Sequence, residues 1–461
     1  MQTNSTVRFT TETEAITYVF ESIAASGWQN RGLDEQTRDT HPTQKLLEIH
    51  HLLNMRREYA VVTGSKGKGS VTALTAKLLQ SLGHKVGMVT SPHLTTYRQR
   101  FRINGKMISE ADLVRLVNEL APSIDVIRAG LREGQYISPQ GIFLALALKW
   151  FDENDVTAAI IEVGRGGRYD DNALVPNALA LFTPIILEHV RYLGPSVERI
   201  AWHKAGIIKP HSYAYSLPQS PQVMQVLSQE AEKQNATFEW LAPMDMGRFV
   251  ASTENGMRVD FGRYGIVDMP MLGRYEIENA SLAIWAAGNI HARLPLNPPL
   301  SHRGPEYLVH IREGLESILW PGRCQQLQDK PQVFIDGAIN TTSAQSFIES
   351  VRHRLTQPVV TILAVPRDRD YPAVYPMFAP ISQSLILTET DRNITIKFPE
   401  PEAALAEARK HHADVTYQPN VAAALDAAKA KTGEGGTVLM AVAQPVIGDT
   451  MALYGLVYEQ I

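Results

Sequence analysis

The chain has 461 residues, 44% of them hydrophobic and 20% charged, with a formal net charge of −4. That is enough for two or three domains with sizeable cores, and the mild acidity gives no basic field for nucleic acid and no polybasic membrane patch. The single cysteine, Cys324, excludes an internal disulfide and a cysteine metal cluster. Met1-Gln-Thr-Asn-Ser has no apolar signal core, and no run approaches the ~20 apolar residues of a membrane span, so a cytoplasmic protein is expected.

In chain order, residues 11–58 read as a helical preamble. Thr11 with Glu14 three residues on predicts a capping box for a helix through Ala25, and Pro42–Met55 predicts a second helix. Val61 begins a short β-branched run that breaks into Gly64-Ser65-Lys66-Gly67-Lys68-Gly69-Ser70. An apolar helical period follows (Val71, Leu74, Leu78, Leu79, Leu82), and a second strand begins at His84. Strand, glycine turn, helix and strand is the setting in which a glycine turn cradles phosphate. The glycines let backbone N–H groups approach an anion, and the helix N-terminus adds partial positive charge. Lys68 can reach a terminal phosphate, and the Ser70 hydroxyl is placed to ligate its Mg²⁺. The competing reading is a glycine turn that merely caps an ordinary helix, which a lysine between glycines directly after a buried strand disfavours.

Asn104-Gly105 predicts a hairpin turn, and Arg98, Arg100 and Arg102 alternate as if on one face of a strand, either a solvated face or a wall for an anionic substrate. Helices are expected over Ser109–Leu131 and Gly141–Asp152. Val156–Val163 reads as a buried parallel strand carrying Glu162 near its end, and Ala178–Leu187 as a strand ending at Glu188-His189. Charged groups at such strand ends are costly unless paired. Lys204 falls on an otherwise apolar helix, where the ordinary fate is snorkelling to solvent. Residues 211–270 read as strands and turns with a helix near Gln222–Gln234, followed by helices at Leu282–Ile290 and Tyr307–Ser317. Trp320-Pro321-Gly322-Arg323 marks a boundary between a unit 1–320 and a unit 321–461. Beyond it, strands Val333–Asp336, Val359–Val365, Ser384–Leu387 and Thr437–Val442 alternate with helices Ser343–Leu355, Pro401–His411 and Val421–Lys431, a second α/β sheet.

The motifs, in order, resemble the folylpolyglutamate/dihydrofolate synthase branch of the Mur ligase family. The pieces are Thr63–Ser70, Thr90-Ser91-Pro92-His93-Leu94, Arg100–Gly105, Glu162–Arg168, His189 ahead of Leu193-Gly194, Lys204–Lys209, Asn279-Ala280, Pro321–Arg323 and Asp336–Asn340. The resemblance implies an α/β fold: a P-loop ATP-binding domain with a parallel or mixed sheet, then a smaller Rossmann-like C-terminal domain. It implies ATP on Gly64, Ser65, Lys66, Gly67, Lys68, Gly69 and Ser70, with Asn279, Arg323 and Asp336 as further nucleotide contacts. Ser70, Glu162 and His189 match Mg²⁺ ligands, with two metal sites possible. Lys204 matches a lysine that the family carbamylates, and Lys68, His189 and Lys204 become the catalytic set. Ser91, His93, Arg100 and Arg168 are the expected substrate contacts.

The implied chemistry is ATP-dependent activation of a carboxylate as an acyl phosphate, then attack by an amino acid to give an amide, ADP and phosphate, by a protein expected to be a monomer. The sequence departs from the family pattern at Lys66, at Ser138-Pro-Gln-Gly141 (two aromatics and an acid replaced), and at Asp170–Ala173. It departs again at Glu188, at Tyr275-Glu276 (for His-Gln) and at Ile339 (for His). Loss of the aromatics leaves open a ligase acting on a non-folate acceptor in a specialised pathway. An ATP-binding partner protein with impaired catalysis is the third possibility, opposed by the joint retention of Lys68, Ser70, Glu162, His189 and Lys204.

Overall fold

The computed structural model describes residues 7–28, 31–54, 56–296, 300–302, 304–393 and 396–461. Met1–Ser5 and Met55, the end of the expected Pro42–Met55 helix, lie outside them. Seventeen strands, β1–β17, form three sheets among the described residues. The first has the order β4-β3-β2-β5-β1-β6-β7-β8, with β1 Glu58–Thr63, β2 Val86–Val89, β3 Phe101–Ile103, β4 Lys106–Met107, β5 Ala158–Glu162, β6 Leu179–Phe182, β7 Tyr213–Ser216 and β8 Thr237–Trp240. It is parallel from β2 to β8, with the β3–β4 hairpin added antiparallel at one edge. A small antiparallel sheet follows, from β9 Arg248–Ser252, β10 Met257–Asp260 and β11 Ile266–Met269.

The third sheet has the order β12-β13-β17-β14-β15-β16. Its strands are β12 Gln325–Asp329, β13 Gln332–Asp336, β14 Val359–Ala364, β15 Ser384–Leu387, β16 Val415–Tyr417 and β17 Thr437–Val442. It is parallel apart from the β12–β13 pair. The sequence reading misses β12, β16 and the helices Tyr371–Phe378 and Gln444–Leu453.

Local chemistry accounts for the elements. The Thr11–Glu14 capping box starts a helix Glu12–Ala24 as expected. Asn104 and Gly105 both take positive φ, 47° and 77°, which joins β3 to β4 through the left-handed turn that this dipeptide favours. The strands β1, β5 and β6 are buried along nearly their whole length because helices cover both faces. Parallel register lines up their ends, with Val62 paired to Glu162 and Thr63 to Phe182, so one edge of the sheet gathers the glycine loop, Glu162 and the chain after β6.

Two expectations need correction. The alternating arginines do not share a strand face, because Thr96 caps a 3₁₀ turn over Tyr97–Arg100 and only Arg102 lies in β3. Arg98 turns to Glu12, and Arg102 is buried, donating to the carbonyls of Gly105, Tyr458 and Glu459. The segment after the third sheet thereby returns to the first, where Lys106 also bridges to Gln460. The other is the snorkelling fate of Lys204, which the resemblance already sets aside: the side chain is 1% exposed, on the helix Val197–Ala205.

Candidate active site

Gly64 and Gly67 carry the positive φ values, 144° and 84°, that bend the chain off β1 and into the helix Lys68–Ser81. A Cβ on Gly64 would stand 1.9 Å from Thr183 Oγ1, and one on Gly67 would stand 2.5 Å from Asn279 Oδ1, so no other residue fits either place. Ser65 ties the loop down: its N–H donates to the Pro184 carbonyl, and its Oγ accepts from the Ile186 N–H at 3.1 Å. This leaves Lys66, Lys68 and the first helical N–H groups as the loop's means of holding an anion.

On one flank of the loop, Lys68 Nζ and Lys204 Nζ both donate to the Gly64 carbonyl, at 3.0 and 2.7 Å. Lys204 also reaches Glu188 Oε1 at 3.3 Å. Burial pulls the Lys204 ammonium down to about 8 against the pull of Glu188. Burial pushes Glu188 up, but Lys204, Lys68 and His189 outweigh it and hold the carboxyl at about 2. His189, at positive φ, lies 3.9 Å from Glu188, and burial keeps its ring neutral with a pKa of about 3. Lys66 sits in the same cleft, drawn down to about 8 by burial despite Glu188, with Arg369, Lys68 and Arg323 adding repulsion.

On the other flank, Glu162 stands at the end of β5 against Gly69, its oxygens 3.6 and 3.7 Å from where a Cβ on Gly69 would be. Its Oε2 accepts the Ser91 N–H at 2.8 Å, and burial raises its pKa against the charges of Lys68, Arg323 and Arg100. Ser70, at the start of the same helix, donates its hydroxyl to Glu276 Oε1 at 2.8 Å. Asn279 Nδ2 donates to Glu276 Oε2 at 2.9 Å, and burial raises the Glu276 pKa to about 7.

A crevice runs along this flank, lined from the first sheet by Gly69, Ser91, His93 and Glu162 and from beyond the 320 boundary by Pro321, Arg323 and Gln444. Arg323 Nη1 donates to Gln444 Oε1 at 3.2 Å. Asp336 ends β13 and accepts from Tyr275 Oη at 2.6 Å and from the Cys324 N–H at 2.7 Å.

Of the expected substrate contacts, the structure gathers three. Arg100 Nε donates to His93 Nδ1 at 3.2 Å, its Nη1 donates to Gln140 Oε1 at 3.2 Å, and its guanidinium lies over the Tyr97 and Phe143 rings. Ser91 lines the same crevice as His93. Arg168 does not: it pairs with Glu230 at 2.6 Å and lies over Trp202, which anchors the helix Pro221–Lys233. The Ser138–Gly141 departure has a packing cause. Ser138 caps the helix Pro139–Glu153, and a Cβ on Gly141 would come within 2.0 Å of Thr43 Oγ1. Ile339 packs among apolar side chains around the third sheet.

Sequence reasoning passes over Glu276 and Gln140 as site residues, and marks Glu188 only as polar chemistry at a strand end. The signal that marks Glu162, an acid on an apolar strand, is missing for Glu276, which lies in the polar run Arg274-Tyr-Glu-Ile-Glu-Asn279. Among the described residues no three His, Cys, Asp or Glu side chains converge as a preformed metal cage. No described helix is long and apolar enough to cross a membrane.

Comparison with known proteins bears on this geometry. Residues 62–287 match the Mur ligase middle domain, and residues 322–443 match the Mur ligase glutamate ligase domain. A dihydrofolate synthase/folylpolyglutamate synthase of Bacillus subtilis is 30% identical over 339 residues, covering 72% of this chain and 74% of its own length. A folylpolyglutamate synthase of Lacticaseibacillus casei is 29% identical over 374 residues, covering 79% and 81%. The Mycobacterium tuberculosis folylpolyglutamate synthase, solved with ADP and AMPPCP, shares the fold: TM-score 0.81 at 24% identity, over 96% of this chain and 99% of that one. A glycine loop at the carboxyl edge of a parallel sheet, facing a second α/β sheet across a charged crevice, fits what these matches indicate. The chain belongs to the Mur ligase family, in its folylpolyglutamate/dihydrofolate synthase branch, and is an ATP-dependent, ADP-forming acid–amino-acid ligase.

Proposed function

We propose that the enzyme joins glutamate to a folate-type carboxylate in the crevice between Glu162, Arg100 and Arg323. The observation that carries this reading is the contact chain from Arg100 through His93 on one side, and from Glu162 through Ser91 on the other. It sets a carboxylate-binding cation beside the phosphate loop. Arg100 lies over the Tyr97 and Phe143 rings, which hold its guanidinium in place. The relatives, a dihydrofolate synthase/folylpolyglutamate synthase and a folylpolyglutamate synthase, point to the same substrates.

In this reading the Gly64–Ser70 loop and Lys68 hold the ATP phosphates, with Asn279, Arg323 and Asp336 around the nucleoside. The chemistry of the donors fits Mg²⁺, both being hard oxygens: the Glu162 carboxylate lines the crevice, and the Ser70 hydroxyl lies buried beside Gly69, which also lines it. When bound there, Mg²⁺ would supply the neutralising charge that phosphoryl transfer needs. Lys68 and Arg323 add to that neutralisation. Arg100 orients the acceptor carboxylate so that its oxygen attacks the γ-phosphorus, with ADP leaving. The amine of the incoming amino acid then attacks the acyl carbon, loses a proton and expels phosphate.

Lys204 is the residue we assign to carbamylation. Its buried amine, drawn down to about 8, exposes a lone pair near neutral pH that attacks CO₂ and loses a proton, giving an anion beside Glu188 and His189 for a second Mg²⁺. We also assign units 1–320 and 321–461 as separate domains, and a monomeric state.

A non-folate acceptor stays in play through Ser138–Gly141, because Gln140, not an aromatic or an acid, now meets Arg100. Release of ADP by purified protein tests the proposal, with Mg²⁺, glutamate and a panel of carboxylates that includes dihydropteroate and reduced folates. Folate-dependent release that is absent in Lys68→Ala supports it. ATP binding with no release on any folate overturns the folate assignment and turns attention to other acceptors.

A further inference from the structure

Glu276 is 0% exposed and lies on the first turn of the helix Glu276–His291, far in sequence from the phosphate loop. Both carboxylate oxygens are engaged, Oε1 by the Ser70 hydroxyl and Oε2 by the Asn279 amide. Ser70 itself is 1% exposed, and Asn279 packs directly against Gly67. One buried carboxylate therefore joins the end of the glycine loop, at Ser70, to Asn279, the side chain packed on its middle at Gly67.

We propose that Glu276 is a positioning residue that strengthens divalent-cation binding at Ser70. A hydroxyl can ligate a cation only through a lone pair, so its proton must point elsewhere. Here the proton points at Glu276, which leaves the Ser70 lone pairs available to a cation. Ligation makes the hydroxyl a stronger donor, and a carboxylate is the strongest acceptor a side chain offers for it. A second negative charge one bond behind the ligand also adds to the attraction for the cation. Because Glu276 has no N–H, Asn279 must give it the NH₂ end and turn its carbonyl oxygen toward Gly67. This proposal rests on the reading that Ser70 faces a metal-bound nucleotide.

The experiment measures the affinity of the full-length protein for ATP by calorimetry, in EDTA and in saturating Mg²⁺, and Mn²⁺ binding by electron paramagnetic resonance. Wild type is expected to bind ATP more tightly with Mg²⁺. Glu276→Gln, a neutral replacement of the same shape, is expected to lose ~10-fold or more of Mn²⁺ affinity and of the Mg²⁺ enhancement. Its ATP affinity in EDTA stays within about twofold of wild type. Ser70→Ala, which leaves Glu276 untouched, is expected to show the same loss, and the double variant no further loss. Asn279→Ala is expected to weaken ATP binding alike with and without metal.

Glu276→Gln folded with metal dependence within about twofold of wild type overturns the proposal. So does Ser70→Ala with metal dependence intact, a result that counts even if Glu276→Gln does not fold. Additive losses in the double variant overturn it as well. Wild-type protein that binds no ATP in either buffer instead overturns the proposed function beneath it.

Discussion

The two flanks of the glycine loop handle buried charge in opposite ways. On the Lys204 side, cations and an anion meet directly: two ammonium groups share the Gly64 carbonyl and Lys204 pairs with Glu188. On the Ser70 side the acids Glu162 and Glu276 make no direct ion pair among the described residues and are held by neutral donors, the Ser91 N–H, the Ser70 hydroxyl and the Asn279 amide. The first arrangement pairs its one acid within the protein and leaves positive charge over for an anion. The second leaves negative charge that a cation would complete. The pKa directions agree, Glu188 held at about 2 while Glu276 rises to about 7. A site of this type separates a flank whose acid is already paired from a flank whose acids wait for a cation.

The sharpest way to break that comparison is Lys68→Ala, which removes the cation common to both. Turnover is expected to fall ~10³-fold, read as ADP release at saturating ATP; a loss under about tenfold would show that Lys68 does not stabilise the transferring phosphoryl group.

Glu188→Gln tests the paired flank. Removing one partner of a buried pair leaves Lys204 uncompensated, at a cost of about 3 kcal/mol in chemical denaturation. Adding Lys204→Met should recover much of that loss. A single variant as stable as wild type would mean that the pair is not energetically coupled.

Arg100→Met bears on the crevice wall. The KM for the acceptor carboxylate is expected to rise ~10–100-fold, with a smaller change in the KM for ATP. Equal changes for both substrates would remove Arg100 from acceptor recognition.

The smallest effect concerns Lys66. Its ammonium is penalised in the folded state, with a pKa of about 8 against an ordinary 10.5. The penalty is full below pH 8, fades as the folded protein sheds the proton between 8 and 10.5, and is gone above. Lys66→Asn should therefore raise the melting temperature without ATP by about 1–3 °C at pH 7, with the gain vanishing toward pH 10. A gain that is constant with pH would assign it to packing rather than to the charge.

Much of the frame is legible in local sequence. The Thr11–Glu14 box, the Asn104-Gly105 turn and the glycine spacing each act within a few residues, and each is where the residues put it. Glu162 was legible because a charge at the end of an apolar strand has few explanations. What escaped depends on distant partners. Ser70 and Glu276 are 206 positions apart, and no local pattern announces their bond. The arginine alternation misled because a Thr96 cap tightens the backbone into a 3₁₀ turn before the strand begins. Arg168 turns to Glu230 instead of the crevice, because a long cationic side chain is free to turn several ways and only the packed neighbours decide.

The grip of Arg102 on the carbonyls of Tyr458 and Glu459 has a mechanical consequence. The third sheet is tied back to the first unit at several further places: Tyr275 holds Asp336, Arg392 Nη2 donates to the Thr95 carbonyl at 2.8 Å, and Arg354 Nη1 donates to the Glu254 carbonyl at 2.9 Å. Parting the walls of the crevice means breaking such bonds together, so they set how readily Arg323 and Gln444 leave Glu162.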